Sequence, residues 1–208
     1  MEATISGAQA ASAIEHKLRQ FLKGKKAGHG SLAATLTKLH HWAISMESES
    51  ETRLPVVTGR VSPGEACDVI ERQAAAFIDG AQGIERRLLS KSLQEVLFYC
   101  AAFNTDLGDA ELQRKIRLTL RREGAASIAQ RFLAFFLFNF VWFCAGESFR
   151  SQAGTPAEFE ADMQNTEKFC QRIVADSWSS ADTPPGALNL MTARRVVRII
   201  DERLGGSS

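Results

Sequence analysis

The stretch RFLAFFLFNFVWFCAGE, Arg131 to Glu147, constrains the fold of this chain more than any other. Six of the thirteen phenylalanines fall between Phe132 and Phe143. A segment this apolar belongs in a membrane, in a partner's groove, or in the chain's own core. The run from Phe132 to Gly146 holds fifteen residues, with Asn139 inside it. At about 1.5 Å per helical residue it reaches roughly 22 Å, short of the roughly 30 Å hydrocarbon thickness of a bilayer. Gln130 and Arg131 close it on one side, Glu147 and Arg150 on the other. The expectation is a buried helix over Ala125–Phe149, with a partner-facing or oligomer-forming surface as the alternative for any phenylalanine left outside the core. Membrane insertion is not expected.

A core helix of this kind needs a coat of amphipathic helices, and the rest of the chain supplies one. SPGE (Ser62 to Glu65) and TPAE (Thr155 to Glu158) each place a hydroxyl at N-cap, proline at the first helical position and glutamate at the third. That pattern satisfies orphan backbone N–H groups reciprocally and starts helices over Pro63–Asp79 and Pro156–Trp178. Apolar spacing predicts further helices over Ser6–Lys23, from Ser31 through Glu47, over Ile84–Phe103, Ala110–Glu123 and Ala187–Leu204. Ser31 is the expected cap of the second. Phe159, Met163, Cys170, Ile173 and Val174 form an expected inward stripe, as do Ile84, Leu88, Val96, Leu97, Cys100 and Phe103. The fold class is therefore all-α, a single bundle of about eight helices around 125–149. Residues 1–30 form an N-terminal helix with a basic Gly/Lys linker, docked on a helical unit over 31–208.

Composition adds exclusions. With 45% hydrophobic and 24% charged residues the chain is ordinary for a globular protein, and a net charge of +1 exerts no global pull on nucleic acid. Cys67, Cys100, Cys144 and Cys170 stand far apart, outside any ligand spacing, and read as small buried hydrophobes. The first residues carry no basic segment followed by an apolar run, so a cytoplasmic location is expected.

Local chemistry is concentrated in basic clusters. QRKIRLTLRRE places Leu112, Ile116 and Leu120 on one helix face and Arg114, Arg117 and Arg121 opposite, with Lys115 and Arg122 at the flank. Arg194, Arg195 and Arg198 form a second row. Lys17, Arg19, Lys23, Lys25 and Lys26 form a third. Guanidinium forks in a row suit phosphate oxygens, but no aromatic residue interleaves them, and a solvated or ion-paired face is the plainer reading.

Other motifs fail their tests. GKKAGHGS (Gly24 to Ser31) lacks the lysine before serine and the preceding strand of a nucleotide-binding loop. AGESFR (Ala145 to Arg150) lacks the second glycine and strand of a nucleophile elbow. NTDLGDAE (Asn104 to Glu111) places its glycine one position too early for a calcium loop. His40 and His41 are adjacent on a helix and diverge by about 100°, which does not suit a shared metal. No metal, cofactor or catalytic set is expected. Asn139 and Glu147 remain as buried polar candidates, the first a fixer of helix register, the second a partner for a neighbouring arginine. The function expected is a non-enzymatic helical interaction protein, a subunit or adaptor with a protein partner or a second copy of itself. Nucleic-acid binding through the arginine faces is the alternative.

Overall fold

Gly124 divides the longest helical stretch of the chain in two. Its φ of +80° is a conformation that side chains resist, and its N–H still closes the preceding helix on the Leu120 carbonyl at 2.7 Å. The helices on either side run over Asp109–Glu123 and Ala125–Gln152, as the spacing predicts. The structure, a computed structural model, describes residues 15–20, 22–23, 30–48, 65–101, 109–183 and 188–205. The Ser62 capping box, Lys25, Lys26, the GKKAGHG linker and residues 102–108 lie outside these.

Eight helices occur among the described residues: α1 (15–20), α2 (Gly30–Ser48), α3 (Glu65–Phe77), α4 (Gly83–Cys100), α5 (Asp109–Glu123), α6 (Ala125–Gln152), α7 (Pro156–Ser180) and α8 (Leu190–Gly205). There is no strand among them. The chain is a single all-α bundle built around α6. This helix packs against α2, α4, α5 and α7, while α8 bridges α2 and α7, and α3 rests on α4. Leu18 and Leu22 are buried, and α1 is tied down by polar contacts: Glu15 pairs with Arg172 of α7 at 2.6 Å, and Arg19 donates to the Arg203 carbonyl near the end of α8.

Several helix limits have local causes. At α7, Thr155 Oγ1 accepts from the Glu158 N–H at 3.2 Å, and the Glu158 carboxylate accepts from the Thr155 and Gly154 N–H groups at 3.0 and 2.8 Å. α8 begins later than the sequence predicts, because Asn189 Oδ1 accepts from the Thr192 N–H at 2.9 Å and so caps the helix there. α2 begins at Gly30, which puts Ser31 inside the helix instead of at its cap. Thr119 of α5 donates to the Cys100 carbonyl at 3.0 Å, satisfying one of the orphan groups at the end of α4.

Candidate functional site

α6 is 28 residues long, about 42 Å at helical rise, and so runs well beyond the fifteen-residue apolar run at its centre. It is long and apolar enough to cross a bilayer, but 56% of its most apolar window is enclosed by neighbouring helices. Phe132, Phe136, Val141 and Phe149 point into those neighbours and are almost fully buried. The enclosure is not complete. Phe135, Phe138 and Trp142 recur at spacings of three and four on a face only partly covered, and beside them Phe143 is 57% exposed.

That open face is the floor of a groove whose walls are α4 and α7. One segment, about 850 Å³, is lined by Leu88 and Lys91 of α4, by Phe138, Asn139, Trp142, Phe143, Gly146, Glu147 and Arg150 of α6, and by Phe159 and Met163 of α7. A second segment, about 440 Å³, continues toward the start of α6, between Glu95 of α4, Arg131, Ala134 and Phe135 of α6, and Glu167 and Gln171 of α7. Phe138 and Met163 belong to both. Met163, expected inside, is instead 36% exposed on the groove wall, and Ile84, expected on the inward stripe of α4, is 50% exposed. Both lie in the opening turns of their helices, outside the deeply packed parts that bury Cys170, Ile173 and Val174 on α7 and Leu89 onward on α4.

Trp142 holds the groove together. Its indole meets Phe138, Phe149 and Phe159 with ring centroids 6.0, 5.6 and 5.5 Å away. It lies over Gly146, where a Cβ would sit 2.7 Å from Trp142 Cε3. Only glycine lets the ring rest this close to the helix backbone.

Asn139 is buried and joins the central helix to α4. Its Nδ2 donates to Glu95 Oε2 at 2.7 Å and to Ser92 Oγ at 3.0 Å. Ser92 donates its own proton to the Leu88 carbonyl at 2.7 Å, so it accepts from the amide, and the amide orientation is fixed by two acceptors. Burial pushes the Glu95 carboxyl above its usual range, against the opposing pull of the Asn139 amide and the Lys91 charge. Asn139 Oδ1 and Trp142 Nε1 are both buried with no hydrogen-bond partner among the described residues. Glu147 corrects the expectation of a buried acid. It lies exposed on the groove rim, because four residues after Phe143 it shares the open side of the helix.

A polar junction closes the far end of the groove and joins three helices. Tyr99 of α4 donates to Glu123 Oε1 of α5 at 2.5 Å, and the Arg131 guanidinium of α6 sits 3.6 Å from the Tyr99 ring centroid. Burial pushes Glu123 up, but hydrogen bonds from Tyr99 and Arg122 and the Arg131 charge outweigh it and leave the carboxyl below its usual range. Nothing in the spacing pointed to this cluster, since its members are far apart in sequence.

Several members of the basic rows are paired with acids close to them in the chain. Arg114 is bound to Glu111 at 2.6 and 2.8 Å, Arg122 to Glu123 at 2.8 Å, and Arg198 lies 3.6 Å from Glu202. Lys115 and Arg117 are partly covered, whereas Lys23, Arg121, Arg194 and Arg195 are exposed. His40 is buried and His41 exposed, with ring centroids 6.3 Å apart. Cys100 and Cys170 are buried, Cys144 is half-buried, and burial pushes the Cys100 thiol up to about 12. Comparison with protein-family models, curated proteins and solved structures finds no match to this chain.

Proposed function

We propose that the chain is a non-enzymatic helical interaction subunit that binds its protein partner in the groove on α6. One observation carries the reading: the central helix leaves a phenylalanine 57% exposed on an aromatic face, at the point where a core helix has most to gain from cover. Helix-in-groove recognition uses such surfaces, with apolar anchors at spacings of three and four entering between two walls. Aromatic side chains are also the residues that carry most binding energy where they become fully desolvated.

A photoactivatable residue at position 143 tests the reading, with position 118 as control because Leu118 is similarly exposed, at 51%, but on α5. The expected outcome is a discrete protein adduct from native extract at 143 and none at 118. Equal adducts at both positions, or none at 143, would overturn it. Nucleic-acid binding is the second reading, supported by the exposure of Arg121, Arg194 and Arg195. It requires an affinity that falls steeply with salt and is lost when these three are changed to glutamate.

A further inference from the structure

The two segments of the groove carry opposite charge. Lys91 and Arg150 rim the larger segment and outweigh Glu147, giving a surplus of one positive charge. Glu95 and Glu167 rim the smaller segment and outweigh Arg131, giving a surplus of one negative charge. Phe138 and Met163 mark the midpoint shared by both. Asn139 meets α4 between Ser92 and Glu95, so the same midpoint falls between Lys91 and Glu95 on that helix.

A surface with this arrangement is complementary to itself. We infer that the groove's occupant is a second copy of this chain, related by a two-fold axis that crosses the groove at Phe138 and runs perpendicular to α6. The inference rests on the reading of the groove as a partner-binding surface. Rotation about that axis sets α6 antiparallel to the α6 of the second copy and reverses the order of charges along each wall. Lys91 then stands level with Glu95 of the second copy, and Glu147 within a turn of Arg131. Arg150, twelve residues from Phe138, lies about 12 Å farther from the axis than Glu167, four residues from Met163, and has no partner across it. The Lys91–Glu95 and Glu147–Arg131 pairings each occur twice. Phe143, five residues from the midpoint, comes level with Ala134 and the smaller segment of the second copy. The small Ala134 side chain leaves room there for a phenyl ring. Lys91 and Glu95 already lie 3.9 Å apart within one copy, at the limit of an ion pair, so both retain capacity for a further partner.

Sedimentation of the full chain across about 1 to 100 µM, a range that spans the affinities common for interfaces of ordinary size, tests the inference. The expected result is a reversible dimer that Phe143→Asp converts to monomer. Lys91→Glu and Glu147→Lys, both exposed and outside the core, each set like charges together twice and weaken the dimer by on the order of tenfold. A wild-type chain that stays monomeric throughout overturns the inference, as does a dimer indifferent to Phe143→Asp or to both charge reversals. A monomeric wild type that nevertheless cross-links another protein through position 143 overturns self-association and leaves the groove reading standing.

Discussion

Asn139 is a small polar group at the most apolar point of the chain, and its chemistry is set by what α4 presents to it. The amide gives its two protons to Ser92 and Glu95, and a loss of these bonds leaves a half-buried carboxylate short of a donor, a cost of about 1–3 kcal/mol. Asn139→Asp is a sharper probe than truncation. It places a second carboxyl against Glu95, and two carboxylates this close raise at least one folded pKa above its unfolded value. The stability of that pair is present below the unfolded pKa and lost as pH rises through the folded one. Denaturant midpoints of Asn139→Asp are therefore expected to fall between pH 5 and 8 relative to those of Asn139→Leu; parallel profiles would contradict the geometry. His40 works in the opposite direction. Burial, helped by the adjacent His41, holds its imidazole below the ordinary value of 6.5. Its contribution is present above 6.5 and lost as pH falls through the folded pKa. His40→Phe, measured by urea unfolding, is expected to lose less stability than wild type between about pH 7 and 5. Asn139 was visible in the sequence as the one amide in an aromatic run, but its partners were not. Hydrogen bonds between residues 44 to 47 positions apart have no local signature.

At the scale of elements, α6 shows how far a hydrophobic pattern can be read. Its limits follow from Gly124 and from the capping box of α7, both legible, and its central place follows from its composition. Which of its faces stays open did not follow. A helix apolar on every side has no preferred direction, so the positions of α4 and α7 decide, and they leave Phe135, Phe138 and Trp142 partly bare. The same reason explains Glu147, whose spacing was compatible with either side. Gly146 records the outcome. Replacing it with alanine improves intrinsic helix propensity by up to about 1 kcal/mol, but it forces the indole out of contact with the backbone. Overpacking of this kind costs about 1–3 kcal/mol, so a net loss is expected in thermal unfolding, together with a changed Trp142 fluorescence. A stabilised Gly146→Ala chain with unaltered emission would show that the ring does not lie where the structure places it.

For the molecule as a whole, four of the other described helices pack directly on α6, and among the described residues that coat leaves the groove open. The all-α class and the central helix were legible because periodicity and capping act within a few residues. The groove and the three-helix junction at Tyr99 arise only when distant segments pack. The central claim is that the uncovered line is covered in use by protein. Hydroxyl-radical footprinting tests it directly, comparing the dilute purified chain with the chain in native extract, with Met191 at 81% exposure as internal reference. The account predicts that Phe143 and Met163 are modified in the dilute chain and protected in extract, while Met191 reacts equally in both. Phe143 and Met163 reacting alike under both conditions would contradict it.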